Sequence, residues 1–200
     1  MIRQQLIIFV KAPIMGKAKT RLAADIGMVH AWRIYRSMTA SLLRNLTSPS
    51  WDITLAVTPA NWQGRLPLWE KFSQYAQTEG SLTPRLAQAF SVKAPIVVIG
   101  SDCPQVTKND IRQAFKLINA RNIVFGPASD GGFWLMGAQG PVASNQFENI
   151  RWSTSNTLMD IQKNFDGSCL KLRMLTDIDD AKSLRHVRRS EFRPGRHRAI

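Results

Sequence analysis

Short apolar runs alternate along this chain with longer stretches in which hydrophobic residues recur every three or four positions. The continuous runs at residues 6–10, 53–57 and 96–99 are typical of strands buried on both faces. Residues 28–46 place apolar side chains at helical spacing, which predicts an amphipathic helix. The alternation predicts an α/β fold with a mainly parallel central sheet and helices on both faces.

Local signals predict the remaining elements. Thr107 and Asp110 form a variant of the capping box, which indicates a helix that begins directly after Thr107. Residues 60–80 carry scattered apolar side chains and predict only a short helix with one buried side. Further strands are predicted at 123–125, 133–136 and 170–175, and further helices at 83–92, 158–165 and 180–187. We expect a single domain over residues 1–184 and a basic, arginine-rich tail over 185–200 that lies outside the core.

The charge of the chain indicates an anionic partner. The 200 residues carry a formal net charge of +13, which suits nucleotide phosphates, nucleic acid or an anionic surface. No stretch approaches the roughly 20 apolar residues of a membrane helix, and the first apolar run is too short for a signal peptide. We therefore expect a cytoplasmic protein without a membrane span. Cys103 and Cys169 are too few for a disulfide framework and are expected to be reduced thiols.

A basic loop follows the first predicted strand, at the sheet edge where doubly wound folds bind their ligands. A triphosphate requires point charges, a forked guanidinium group and backbone N–H donors, and this loop supplies all three. The loop lacks the order and spacing of a Walker A sequence, and a solvated basic loop explains its composition equally well. The candidate phosphate-binding residues are Lys11, Gly16, Lys17, Lys19, Thr20 and Arg21.

Two acidic segments also follow predicted strands. Asp102 lies directly beyond the run at 96–99 and is the first candidate for a metal ligand, because Mg²⁺ prefers one or two carboxylates together with phosphate oxygens. A turn aspartate that caps its own backbone is the alternative. Asp177, Asp179 and Asp180 form the second segment, and they either complete a metal site or cap the helix that follows.

Two further segments are weaker candidates. The sequence Asp130-Gly131-Gly132 favours a hairpin turn, although its glycines also leave room for a ligand beside Asp130. The adjacent Phe133 and Trp134 either stack on a base or sugar or pack in the core, which is the commoner use of such residues. In Trp152-Ser153-Thr154, the two hydroxyl residues are also candidates to cap the next helix.

These segments, in this order, resemble a family of small bacterial GT-A-like proteins that are called glycosyltransferase-like or nucleotide-diphospho-sugar-transferase-like. Members are similar to the guanylyltransferases of molybdenum-cofactor and phospholactate chemistry. The resemblance extends over about residues 5–184 and implies a GT-A, Rossmann-like fold. The matching stretches are Lys11-Ala12-Pro13 through Lys19-Thr20-Arg21-Leu22, Gly100-Ser101-Asp102-Cys103-Pro104, Gly126-Pro127 through Asp130-Gly131-Gly132, Trp152-Ser153-Thr154 and Asp177-Ile178-Asp179.

The resemblance implies roles for individual residues. It implies that residues 11–21 bind a nucleotide and that Asp102 and Asp179 occupy metal-binding positions. For a transferase of this class we predict that Mg²⁺ or Mn²⁺ binds there and that Asp102, Asp130 and Lys19 are the catalytic residues. The segments around Asp130-Gly131-Gly132 and Trp152-Ser153-Thr154 then face the acceptor or sugar. The family pattern Gly-Asp-Leu-Gly-x-Arg is altered here to Gly80-Ser81-Leu82-Thr83-Pro84-Arg85, which keeps only Arg85 for ligand binding, and Phe133 replaces the usual tyrosine.

The predicted function is a metal-dependent nucleotide-diphospho-sugar transferase that binds a nucleotide or nucleotide-sugar and a small-molecule acceptor. The alternative within the same class is a guanylyltransferase-like nucleotidyltransferase. A nucleic-acid-binding protein is a lesser alternative, which rests on the basic charge of the chain and its arginine tail. No helix-turn-helix, zinc or RNA-binding pattern is present. A catalytically silent ligand-binding relative is suggested by the altered segment at 80–85.

Overall fold

A seven-stranded sheet forms the centre of the computed structural model, which describes residues 3–191, with side chains described as far as residue 187. The strands are β1 Gln4–Lys11, β2 Trp51–Thr58, β3 Ser73–Ala76, β4 Ile96–Gly100, β5 Asn122–Pro127, β6 Phe133–Ala138 and β7 Ser168–Lys171. Their order across the sheet is β3-β2-β1-β4-β6-β5-β7. Only β6 runs antiparallel to its neighbours, which confirms the predicted, mainly parallel sheet.

Helices cover both faces of the sheet, as predicted. They are α1 Thr20–Ile26, α2 Met28–Leu46, α3 Leu82–Ala89, α4 Lys108–Leu117, α5 Thr157–Lys163 and α6 Ala181–Glu191. On one face α2 and α4 pack against Leu6 and Ile8 of β1. On the other face α3 and α5 pack in the cluster that contains Ile7. Successive residues of β1 therefore enter opposite cores, which explains its uninterrupted apolar sequence.

Local sequence signals determine several element boundaries. The face of α2 predicted from its spacing is buried in the structure. Thr107 and Asp110 form a complete capping box at the start of α4, as predicted. The short helix predicted within residues 60–80 is present only as a 3₁₀ helix at Trp69–Lys71, in which Trp69 is buried, and the segment also contains the edge strand β3, which was not predicted. Residues of β3 are mostly exposed, so this strand lacks the apolar run by which the others are recognised.

The predicted strand at 170–175 is wrong in its bounds, because β7 ends at Lys171. The next residues leave the sheet as Arg173 turns to form a bidentate ion pair with Asp110, with N–O distances of 2.7 and 2.8 Å. The chain returns to the sheet edge only at Leu175, which bridges to Ala128.

The last helix continues beyond its predicted end at residue 187. Leu184 and Val187 are buried in a third cluster that contains Leu22 and Met38, so α6 packs on α1 and α2. Residues 192–200 of the predicted basic tail lie outside the described residues, and its boundary and its nucleic-acid binding stay predictions. None of the described helices has the length and hydrophobicity needed to cross a bilayer.

Candidate functional site

The three neighbouring parallel strands β1, β2 and β4 end at one edge of the sheet, and a cavity of about 370 Å³ lies beyond them. Lys11, Thr58 and Gly100, the last residues of these strands, all line it. This nucleotide-side cavity is where the doubly wound topology places ligands.

A lysine and two aspartates meet in this cavity from three distant parts of the chain. The Lys19 Nζ lies 2.7 Å from Asp102 Oδ1 and 2.9 Å from Asp179 Oδ1. The Lys19 side chain is 5% exposed, whereas those of Asp102 and Asp179 are 47% and 43% exposed. Burial alone would lower the pKa of Lys19, but the two adjacent carboxylates raise it above its usual value, so the ammonium group stays charged.

The two aspartates are brought together by the backbone around them. The backbone N–H of Ile178 donates to the carbonyl of Asp102 at 3.0 Å, which fixes the segment before α6 against the end of β4. Asp180 takes the helix-capping role, because its Oδ1 accepts from the Ser183 N–H at 2.7 Å. Asp179 points to Lys19 instead, so the two alternatives for this acidic segment apply to different residues.

Side chains of α2 form hydrogen bonds with the backbone of the basic loop. The Tyr35 hydroxyl accepts from the Lys11 N–H at 2.8 Å and donates to the Lys11 carbonyl at 2.7 Å. The Trp32 Nε1–H donates to the Pro13 carbonyl at 2.6 Å. Lys19 adopts a left-handed conformation with φ 54°, a strained position that is characteristic of functional sites.

The predicted phosphate-binding residues divide into two groups. Lys11, Lys19, Thr20 and Arg21 line the cavity, and the Arg21 side chain is 81% exposed with its Nη1 4.0 Å from Asp179 Oδ2. Gly16 and Lys17 lie outside the lining residues. Gly16 has φ 77° and packs close to Met28, which gives this glycine a structural role in the turn.

Gln77 lines the same cavity but was not among the sequence candidates. It is 4% exposed, and its Nε2 donates to the carbonyls of Ala56 at 2.6 Å and Val10 at 3.5 Å. Both neighbours are acceptors, so the amide nitrogen must face them, and the Oε1 is left without a described donor. Gln77 directly follows β3, so the edge strand that the sequence failed to reveal also positions this residue.

A second cavity of about 420 Å³ contains most of the other candidates. Its lining includes Asp130, Gly132, Trp152, Ser153, Thr154, Asp177 and Arg85. Arg85 also lines the nucleotide-side cavity, so its side chain lies where the two meet. The Arg85 Nη2 donates to the Gly80 carbonyl at 3.0 Å, while its Nε is buried without a hydrogen-bond partner.

The turn between β5 and β6 forms one wall of this acceptor-side cavity, and the predicted hairpin is confirmed. Asp130 Oδ1 accepts from the Gly132 N–H at 2.9 Å, which closes the turn locally. Gly131 has φ +89°, and a Cβ there would lie 2.3 Å from the Ser155 carbonyl oxygen. The Leu158 N–H, in the first turn of α5, donates to the Gly131 carbonyl at 3.0 Å, so the turn packs directly on the start of that helix.

The segment around Trp152 forms the other wall. Arg151 and Asp160 form a bidentate ion pair at 2.8 Å for both contacts, and Arg151 lowers the pKa of Asp160 to about 2. The Trp152 Nε1–H donates to Thr83 Oγ1 at 2.9 Å. The N-cap position of α5 is Asn156, which makes no side-chain cap, whereas Thr154 Oγ1 accepts from the Asn156 N–H at 3.2 Å just before the helix. Thr154 therefore makes the predicted capping contact, and Ser153 does not.

Phe133 and Trp152 supply aromatic edges between these walls, with ring centroids 6.4 Å apart. Phe133 also packs on the core residue Phe125, at 5.6 Å between centroids. Phe133 therefore packs in the core, as one alternative predicted, and also lines the cavity, while its stacking on a ligand stays a prediction.

Asp177 was also a sequence candidate, and its contacts lie deeper in the protein than those of Asp179. Burial raises the pKa of Asp177 to about 6, and the Asp102 carboxylate adds to this against the opposing effect of a hydrogen bond from the Cys103 thiol. Burial and the Asp177 carboxylate raise the pKa of Cys103 in turn. The Cys103 thiol therefore stays protonated, which disfavours its use as a nucleophile.

Comparison with known proteins identifies the family of this chain. A model described as "Uncharacterized protein conserved in bacteria (DUF2064)" matches residues 42–154, more than half of the chain. The chain belongs to the DUF2064 family. No curated protein sequence matches this chain.

Solved structures related to this DUF2064 chain share its fold. A protein of Desulfovibrio desulfuricans G20, provisionally named a nucleotide-diphospho-sugar transferase, is 25% identical with a TM-score of 0.82, over 100% of this chain and 92% of its own. A 4-diphosphocytidyl-2C-methyl-D-erythritol synthase of Anaerococcus prevotii DSM 20548 has a TM-score of 0.60 at 9% identity, over 96% and 97% of the two chains. Rv0371c of Mycobacterium tuberculosis H37Rv in complex with manganese has a TM-score of 0.55 at 14% identity, over 94% and 99%. The resemblance to GT-A-like nucleotide-diphospho-sugar transferases is thereby confirmed.

The Asp102 and Asp179 carboxylates of this DUF2064 chain suit a divalent metal that is also bound by phosphate groups. Asp102 and Asp179 converge on one point and are each about half exposed, so both can reach a ligand. Within residues 3–191 no cluster of three or more His, Cys, Asp or Glu side chains could hold a metal. Mg²⁺ normally binds through one or two carboxylates and completes its octahedron with phosphate and water oxygens, so the two carboxylates here match the protein part of that donor set.

Proposed function

We propose that this DUF2064 chain is a metal-dependent transferase of the nucleotide-diphospho-sugar class. It binds the phosphates of a nucleotide or nucleotide-sugar in the nucleotide-side cavity and an acceptor or sugar in the acceptor-side cavity. The observation that carries the proposal is the convergence of Lys19, Asp102 and Asp179 at the carboxyl edge of the sheet. The fold shared with nucleotide-diphospho-sugar transferases and nucleotidyltransferases supports the same class.

Different charged residues bind the phosphates and the metal. Arg21 and Lys19 hold the phosphates and neutralise charge that develops on them, while Asp102 and Asp179 hold Mg²⁺ or Mn²⁺. When bound, the metal polarises phosphoryl oxygens as a Lewis acid. Gln77 Oε1 lies in the same cavity as an acceptor for a donor group of the base or ribose.

The acceptor-side cavity has the chemistry of a polyhydroxylated ligand. Asp130, Asp177 and the hydroxyl groups of Ser153 and Thr154 line it and can exchange hydrogen bonds with sugar hydroxyls. Trp152 supplies an aromatic surface in the same wall.

Nucleotidyl transfer is a second candidate within the same class, and Arg85 favours it. Its guanidinium group lies at the junction of the cavities and forms no ion pair with a described carboxylate. A buried N–H without a partner is costly, and an anionic group on the acceptor would satisfy it. In that reaction an acceptor oxyanion attacks the α-phosphorus and pyrophosphate leaves. In glycosyl transfer the anomeric carbon is attacked and a nucleoside diphosphate leaves.

A substrate panel with product analysis tests the proposal. Nucleoside triphosphates and nucleoside-diphosphate sugars are incubated with the chain, Mg²⁺ or Mn²⁺ and pools of sugars and sugar phosphates, and ³¹P NMR follows the phosphates. Pyrophosphate release identifies nucleotidyl transfer, and nucleoside diphosphate release identifies glycosyl transfer. If neither product forms and none of the nucleotides binds, the proposal is wrong.

A further inference from the structure

The Lys19 ammonium group lies on the buried side of the two carboxylates that are the candidate metal ligands. Its side chain is 5% exposed, whereas Asp102 and Asp179 are each more than 40% exposed. One Oδ1 atom of each aspartate is within hydrogen-bonding distance of the same nitrogen. A cation that belongs to the protein is therefore already bound between these two oxygens.

The position of this ammonium group follows from a fixed backbone. Lys19 is the N-cap residue of α1, and its carbonyl accepts from the Ala23 N–H at 2.8 Å. Leu22, in the first turn of that helix, is fully buried, so α1 is anchored in the core. Small movements of the loop alone do not carry Lys19 away from the aspartates.

The charge balance at this point disfavours a free metal ion. Two carboxylates and one ammonium group leave a single negative charge, and the ammonium repels any second cation within a few ångströms. Protein carboxylates bind Mg²⁺ only by replacing part of its tightly held water shell, so a weak net attraction is insufficient. Arg21, whose Nη1 is 4.0 Å from Asp179 Oδ2, adds to the repulsion.

We propose that Lys19 excludes free divalent metal from the Asp102–Asp179 pair and that the ligand this site accepts is the preformed metal–nucleotide complex. This rests on the proposed function, since it assigns the same aspartates to metal. The phosphates of the complex supply negative charge that replaces the aspartates as partner of the lysine. An ammonium group has three donors and two of them bond the aspartates here, so the third is free to bind an incoming phosphate first.

Binding of free Mn²⁺, without nucleotide, tests this directly, because the electron paramagnetic resonance signal of aqueous Mn²⁺ falls as the ion binds. The variants are Lys19→Met, which keeps the length of the side chain, and Lys19→Asn, which suits the left-handed backbone. We expect both to bind free Mn²⁺ roughly tenfold more tightly than the natural chain, because the repelling charge is gone. Lys93→Met removes one positive charge from an exposed position outside both cavities and is expected to leave Mn²⁺ binding unchanged.

Two results would overturn the inference. One is that neither Lys19 variant binds free Mn²⁺ more tightly than the natural chain, although circular dichroism shows both variants to be folded, and the other is that Lys93→Met gains as much Mn²⁺ binding as the Lys19 variants. Binding of Mn²⁺ with a nucleotide to the natural chain is measured separately. Absence of that binding would count against the proposed function, whereas a gain of free Mn²⁺ binding in the variants would still support exclusion by Lys19.

Discussion

The two cavities are built in different ways, although they share Arg85. The nucleotide-side cavity depends on charged side chains from residues 11–21, 102 and 179 that meet only in the folded chain. The acceptor-side cavity depends on backbone packing, in which Gly131 lies directly against Ser155. Substitutions in the first cavity should therefore change ligand binding without unfolding the chain, while substitutions in the second should first change stability.

The strongest test of this contrast is Gly131→Ala. Its added Cβ would meet the Ser155 carbonyl at 2.3 Å in a backbone with φ +89°, so we expect a loss of about 2–4 kcal/mol in the free energy of unfolding. Gly27→Ala is the matched control, since Gly27 has φ +87° with nothing within 4 Å of the added Cβ. It should lose less than Gly131→Ala, about 1–3 kcal/mol, from backbone strain alone, because φ 87° with ψ 148° is a conformation that normally only glycine adopts. Urea denaturation measures both, and equal losses would show that the contact with Ser155 is unimportant.

Arg21→Gln is the converse test in the nucleotide-side cavity. Its side chain is 81% exposed, and its 4.0 Å contact with Asp179 contributes little to stability. We expect nucleotide affinity in the presence of Mg²⁺ to fall by about 1.5–3 kcal/mol, the value of a hydrogen bond to a charged group. The free energy of unfolding should change by less than about 0.5 kcal/mol. Isothermal titration calorimetry measures the affinity, with Arg33→Gln on the exposed face of α2 as control. Unchanged affinity in Arg21→Gln would remove this residue from the site.

Trp152→Phe weakens the acceptor-side wall without changing its charge. The substitution removes the 2.9 Å hydrogen bond from the indole to Thr83 Oγ1. Thermal unfolding should show a loss of about 1 kcal/mol, while nucleotide affinity stays the same. A variant that loses nucleotide affinity but keeps its stability would contradict the division between the cavities.

The smallest expected effect is the pH dependence of the Arg151–Asp160 ion pair. Arg151 lowers the pKa of Asp160 to about 2, so the pair stabilises the fold above the ordinary carboxyl pKa and is lost as the pH falls towards 2. The melting temperature of Asp160→Asn should be below that of the natural chain at pH 7, and the difference should shrink between about pH 4 and pH 2. A difference that stays constant over this range would show that the charge of Asp160 is unimportant.

The sequence predicted best what depends on continuous burial. The runs at 6–10 and 96–99 are apolar because both faces of β1 and β4 are covered, and the residues that follow such strands meet at one edge. For this reason the loop that contains Lys19 and the turn that contains Asp102 were expected at this edge, whereas Asp179 was assigned to the same metal by the family resemblance. The chemical roles of all three residues stay predictions.

The sequence did not predict features that depend on strand pairing or on side-chain contacts rather than on burial. Strand β3 is held by its hydrogen bonds to β2 at the sheet edge, so its exposed residues carry no periodic signal, and Gln77 was missed with it. The Arg151–Asp160 pair joins residues nine positions apart across a turn, a contact that no local pattern indicates. Likewise β7 ends early because Arg173 pairs with Asp110, which is 63 positions away.

The central claim is that Asp102 contributes to a metal-dependent nucleotide site, and a thermal-shift measurement on Asp102→Ala tests it most directly. The natural chain and the variant are heated with a nucleotide or nucleotide-sugar, with and without Mg²⁺ or Mn²⁺, beside the exposed control Asp166→Ala. A ligand at about 100 times its Kd stabilises by about 2.7 kcal/mol, so binding gives a clear shift. We expect a metal-dependent shift in the natural chain and in Asp166→Ala that is lost in Asp102→Ala. An equal metal-dependent shift in Asp102→Ala would contradict the account.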